Sequence, residues 1–106
     1  MADKKYSLRY LPLFEHDLAT VRRYIERDLH NPGAALRLIV DTENAINKRL
    51  ANPLSFEPLR SIKSRKHLYY PIYIRNYMVL YVVIGDVMEV RRFVYIKRDL
   101  TKLIEP

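Results

Sequence analysis

The residues best suited to chemistry gather late in the chain. Arg75, Arg91, Tyr95, Lys97 and Arg98 follow closely on His67, Tyr69 and Tyr73. Arginine and lysine hold phosphate, and aromatic rings stack on unpaired bases. Cleaving RNA through its 2′-hydroxyl needs a proton acceptor, a cation against the phosphorane, and a proton donor for the leaving oxygen. Arginine and lysine suit the second task; a tyrosine or histidine suits the other two. The competing reading makes the tyrosines sheet packing and the arginines its solvated rim.

Other chemistries find no residues to carry them. The chain has no cysteine, so thiol nucleophiles, disulfides and cysteine-ligated metals are excluded. His16, His30 and His67 lie on different elements without ligand spacing, and no metal site is read from them. No serine stands in a nucleophile-elbow context, and neither glycine opens a phosphate-cradling loop, so no cofactor is expected.

The elements that must position the constellation follow from periodicity. Arg65 to Asp99 is dense in β-branched and aromatic residues, with turn signals at Arg75-Asn76 and Gly85-Asp86. It predicts a meander of three antiparallel strands. A two-residue turn at Arg75-Asn76 sets Ile74 opposite Tyr77, Ile72 opposite Val79 and Tyr70 opposite Tyr81. Leu68, Tyr70, Ile72, Ile74, Tyr77, Val79, Tyr81 and Val83 then share an apolar face. His67, Tyr69 and Tyr73 lie on the other, open face, opposite Val82, Leu80 and Met78. The same rule at Gly85-Asp86 sends Met88, Val90, Arg92, Val94 and Ile96 to the apolar face, and Glu89, Arg91, Phe93 and Tyr95 to the open one. Arg92 is a misfit there. Either it lies at the rim, or a bulge shifts the register and exchanges its place with Arg91.

Upstream, Lys5 to Leu11 alternates as a short half-buried strand, and Pro12 opens a helix. Phe14, Leu18, Val21, Ile25 and Leu29 form the helix's apolar stripe, which must end near His30. Asn31 caps a second helix that begins at Pro32, with Ala35, Leu38, Ile39, Thr42, Ala45, Ile46 and Leu50 as its stripe. Asn52-Pro53 breaks it, and Asn52 to Ser64 reads as a connecting loop with basic residues at its end. Leu100, Leu103 and Ile104 suit a final short helical turn or a tail. The expected architecture is α+β: an N-terminal strand, an αα-hairpin, and a three-stranded meander with the helices on one face of a twisted sheet.

At 106 residues the chain is read as one domain, residues 1–106. Hydrophobic residues at 49% and charged residues at 29% match a soluble globular protein rather than a disordered one. The start lacks an apolar signal-peptide run, and the longest apolar run, Met78 to Ile84, is strand-sized, so a cytoplasmic protein without membrane attachment is expected. A net charge of +7 points to a polyanionic partner: nucleic acid, ribosome or acidic protein.

Several motifs, in this order, resemble the RelE/ParE superfamily of bacterial type II toxins, from plasmid-stabilisation modules. Tyr6-Ser7-Leu8-Arg9-Tyr10-Leu11-Pro12, then Asp17-Leu18 and Tyr24-Ile25, resembles the family's opening strand and first helix. Asn31-Pro32 with Ala34-Ala35 resembles its second-helix start. Arg75-Asn76-Tyr77-Met78-Val79-Leu80-Tyr81 is similar to its GNYRVLY hairpin, and Arg92-Phe93-Val94-Tyr95-Ile96-Lys97-Arg98-Asp99 to its RVLHGRRD ending.

The resemblance implies a cognate acidic antitoxin forming a hetero-oligomer with this chain. It also implies one of two targets. RelE-like members cleave messenger RNA on the ribosome, a metal-independent endoribonuclease activity; here Tyr95, Arg75 and Arg98 would be catalytic, with Lys97, Arg91, Tyr73 and His67 holding RNA. ParE-like members poison DNA gyrase without such chemistry, and a further alternative is an inactive relative that only binds its antitoxin. Tyr73 and Met78 stand where the family often carries basic residues, and Arg75 where its hairpin glycine usually stands.

Overall fold

The computed structural model describes residues 5–60 and 66–97. β1 (Ser7–Tyr10) leads into α1 (Pro12–Arg23), which continues as a π-helical stretch over Tyr24–Asp28. Pro12 sits in the first turn of α1, where a missing N–H costs nothing. Leu29 was expected to complete the stripe begun by Phe14, yet it is 54% exposed. The π-helical stretch is the reason: its wider turns break the 3.6-residue phase, so a residue spaced for an α-helix swings off the buried face. The segment closes at His30, which adopts a left-handed φ of 50°.

α2 (Pro32–Arg49) starts as expected, with Asn31 Oδ1 accepting the Ala34 N–H at 3.1 Å. Ala35, Leu38, Thr42 and Ile46 are buried along its stripe. Thr42 fits among apolar neighbours because its hydroxyl donates to the Leu38 carbonyl one turn back, at 2.7 Å.

β2 (Tyr70–Ile74), β3 (Tyr77–Ile84) and β4 (Val87–Tyr95) form the meander, joined at Arg75-Asn76 and Gly85-Asp86. Ile74 pairs with Tyr77, Ile72 with Val79 and Tyr70 with Tyr81. The sheet order is β1-β4-β3-β2, with β1 parallel to β4, a placement that needs the crossover through both helices. The main core lies between the helices and one face of the sheet, with Phe14, Leu38 and Ile46 against Ile72, Val79 and Tyr81. Leu68, expected on that face, precedes β2 and is exposed.

Two sheet expectations are corrected. The first concerns β4. Tyr81 pairs with Val90 but Leu80 pairs with Arg92, so Arg91 is an extra residue in a bulge. One extra residue inverts every side chain beyond it. Phe93 therefore joins the helix-side core and Tyr95 follows it there, while Val94 crosses to the opposite face. The second concerns the face read as open. Tyr69, Met78, Leu80, Val82 and Val94 are buried there as a second, smaller core, with Leu59 packed against it. The Leu59 N–H donates to the Tyr69 carbonyl at 2.8 Å, bringing the connection after α2 back onto the strand.

That connection is pinned at Tyr81. Its buried hydroxyl donates to the Pro53 carbonyl at 2.7 Å and accepts from Arg49 Nη1 at 3.0 Å. Arg49 Nη1 also donates to the Pro71 carbonyl at 3.1 Å, and its guanidinium lies 3.5 Å over the Phe56 ring. Tyr81→Phe takes the Pro53 carbonyl's donor and one of Arg49's acceptors from a part-buried site, which should cost about 2 kcal/mol. A urea-unfolding midpoint that does not fall would show that water takes the hydroxyl's place.

Candidate functional site

Six of the seven sequence-derived site residues lie within the described residues; Arg98 falls outside them. Three converge at one end of the meander. Arg75 occupies the β2–β3 turn, Tyr95 ends β4 directly across from Tyr77, and exposed Lys97 follows. The Ile96 N–H donates to the Asn76 carbonyl at 2.9 Å and ties that strand end to the turn. Arg75 adopts a left-handed φ of 54°, unusual for a residue with a side chain, and its guanidinium is paired with the Asp41 carboxylate of α2. The cation in place of a turn glycine is therefore partly neutralised.

Of the other three, Tyr73 lies in the next cross-strand row, and Arg91 and His67 lie farther along the sheet. Tyr73 is 60% exposed, beside Met78, which in turn pairs with Val94, so that cross-strand row carries no charge. Arg91 projects from the bulge: its Nε donates to Glu89 at 2.8 Å and its Nη1 to the Tyr69 hydroxyl at 2.8 Å. Glu89 also accepts from Arg9 at 2.8 Å. Burial pulls the Arg91 guanidinium downward, but the Tyr69 and Glu89 hydrogen bonds outweigh it and the net shift is upward. Half-buried His67 precedes β2.

Tyr95 and Arg91, read in sequence as neighbours on one face, stand on opposite sides because of the bulge. Tyr95 belongs instead to an aromatic group on the helix side. Tyr77 stacks on Phe93 with ring centres 5.1 Å apart and meets Tyr95 edge-on at 5.8 Å. Burial, then the nearby Tyr24 and Tyr95 hydroxyls, push the Tyr77 phenol up, which keeps it protonated and makes it a weaker acid.

Sequence reasoning missed Asp17, Asp41 and Glu89, the carboxylates that hold Arg92, Arg75 and Arg91. Asp17 and Asp41 are far along the chain from their arginines, whereas Glu89 stands two residues from Arg91 on the same strand, where alternation already puts both on one face. For the two aspartates, only the charge excess on the strands, which needed counter-ions somewhere, gave a hint.

No family model and no curated protein matches this chain. A solved structure does. The chain is similar to one in the chromosomal ParDE TA system from P. aeruginosa. The TM-score is 0.67, and the likeness covers 89% of this chain and 99% of that one. At 16% identity the likeness is one of fold. The α+β architecture implied by the RelE/ParE resemblance is thus the one present.

Proposed function

We propose that this chain is the toxin half of a type II toxin–antitoxin pair, and that it acts in the ParE manner, by binding DNA gyrase. The observation carrying the toxin reading is the ParDE-like fold, shared over nearly the whole length of both chains. Two features of the site favour binding over RNA cleavage. Arg75 and Arg91 are each already engaged by a carboxylate, and the row of Tyr73, Met78 and Val94 offers no cation to a phosphate. An acidic antitoxin is the expected partner, in keeping with the charge of +7. The location that goes with this role is the cytoplasm; among the described residues no helix is long and apolar enough to cross a membrane.

The test is a supercoiling assay with purified gyrase, alongside induction of the protein alone in cells. Growth arrest with loss of supercoiling activity, or a trapped cleavage complex, is expected. Arrest without any effect on gyrase sinks the target, and harmless induction sinks the toxin reading in favour of an inactive antitoxin-binding relative.

A second reading is favoured by the convergence of Arg75, Tyr95 and Lys97 at one end of the sheet. There Tyr95 is the acid/base group, Arg75 and Arg98 meet the phosphorane charge, and Lys97, Arg91, Tyr73 and His67 hold RNA on the ribosome. Messenger RNA cut in the decoding site of translating ribosomes, and uncut with Tyr95→Phe, is the result that would replace the gyrase target with this one.

A further inference from the structure

A recess of about 410 Å³ opens between the last turns of α2, the connection that follows it and the edge strand β2. Ala45, Ile72 and the ring of Phe56 give it apolar walls, and Lys48, Arg49 and Ser55 supply polar groups. Among the described residues no carboxylate lines it.

Arg49 is held in place by the protein itself. Its Nη1 donates to the Pro71 carbonyl at 3.1 Å and to the Tyr81 hydroxyl at 3.0 Å, and its guanidinium lies 3.5 Å from the centre of the Phe56 ring. Its Nε and Nη2 make no hydrogen bond or ion pair among the described residues. The exposed Lys48 ammonium and Ser55 hydroxyl have no partner among those residues either. A guanidinium already immobilised, with two of its nitrogens unused, meets a planar anion at little further cost in entropy.

We propose that this recess binds a small aromatic carboxylate, its anion on the unused guanidinium nitrogens of Arg49 and its ring against Ala45, Ile72 and Phe56. Arginine meets a carboxylate in a two-pronged pair, and Lys48 adds a second positive charge at the rim. Apolar walls with a few convergent donors are the ordinary make-up of a small-molecule site, and the volume suits one or two fused rings. A rigid ring also loses less freedom there than an alkyl chain does. A phosphate suits the place less well. The recess lies at the C-terminal end of α2, where the helix dipole disfavours concentrated negative charge. A ligand seated here ties α2 and β2 to the connection whose Leu59 packs on the second core. The recess shares no lining residue with the end of the sheet holding Arg75, Tyr95 and Lys97, so a failed supercoiling assay leaves the inference intact.

Titration of the full chain with naphthoate, followed by backbone-amide NMR shifts, tests it. Saturable shifts centred on Lys48, Arg49, Ser55 and Phe56 are expected, with a Kd of about 1 mM or below for a ligand of that size. Naphthamide, the neutral isostere, should bind about tenfold more weakly for want of the charge-assisted hydrogen bonds. Lys48→Ala removes an exposed charge without touching the core and should weaken naphthoate about threefold. Ala45→Leu should fill the floor of the recess and abolish binding; if that variant does not fold, Lys48→Ala and naphthamide still decide. Arg60→Ala removes an equal charge from the exposed pair with Glu57, which does not line the recess, and should change affinity little. The proposal is overturned if naphthoate does not bind, if its shifts spread over the basic surface without a centre, if naphthamide binds as well, if Lys48→Ala has no more effect than Arg60→Ala, or if inorganic phosphate takes the same site more tightly.

Discussion

Asp17→Ala should destabilise the protein by about 3 kcal/mol, because it strips the counter-ion from a nearly buried arginine. Asp17 Oδ2 accepts from Arg92 Nε at 2.7 Å and Oδ1 from Arg92 Nη2 at 3.1 Å, a two-pronged pair. The side chains are only 11% and 13% exposed, so water screens them poorly. The same carboxylate has a second duty. β1 covers β4 only from Val87 to Val90, and beyond that point no strand among the described residues pairs with β4 on its β1 side. Asp17 Oδ2 accepts the Phe93 N–H at 3.1 Å and caps this stretch of edge. Alanine at position 17 therefore takes two hydrogen bonds from the guanidinium and removes the acceptor of the Phe93 N–H. The melting temperature should fall by roughly 15 °C in a domain of this size. Replacing both partners, Asp17→Leu with Arg92→Met, should recover most of the loss, since the remaining charge is gone. A drop of under about 1 kcal/mol for Asp17→Ala would mean that the pair behaves as a surface ion pair.

Glu89 should control the acid side of the stability profile. Burial raises its carboxyl, but the hydrogen bonds and charges of Arg91 and Arg9 outweigh that, and its net shift is below the ordinary carboxylate value. A carboxyl whose folded pKa lies below its unfolded one releases its proton more readily in the native state. Its contribution is complete above the unfolded value, near pH 4.5, and fades as pH falls through the folded value. Glu89→Gln should cost about 2 kcal/mol at neutral pH by weakening two charge-assisted hydrogen bonds. The gap between variant and native protein should close as the pH drops from neutral to below that carboxylate range. A gap that stays constant with pH would show that Glu89 is not the group titrating. Loss of Glu89 should also free Arg91 from the bulge, so a change in any phosphate affinity of that face would appear in the same variant.

These two carboxylates mark the boundary between what could be read from residue order and what could not. Local rules were enough for the helices and turns. Pro12 and Asn31-Pro32 start helices because ring geometry and capping act within a few residues, and the Arg75-Asn76 turn sets the β2–β3 register for the same reason. The stripe of α2 was legible because Ala35, Leu38, Ala45, Ile46 and Leu50 face one core. The stripe of α1 failed only at Leu29, where a π-helical stretch altered the period that the spacing argument assumes.

The constellation of arginines and tyrosines that seemed able to act on phosphate was visible as composition, and its division was not. A single bulge at Arg91, paired across β3, decided that Tyr95 joins Tyr77 beside the helices while Arg91 faces Glu89 and Tyr69. Sequence alone determined which charged and aromatic groups this protein has, and in which elements they lie. Only the tertiary structure decided that Arg92 and Arg75 are answered by carboxylates, because Asp17 and Asp41 reach them through packing between helix and sheet, whereas Glu89 and Arg91 are two residues apart on one strand.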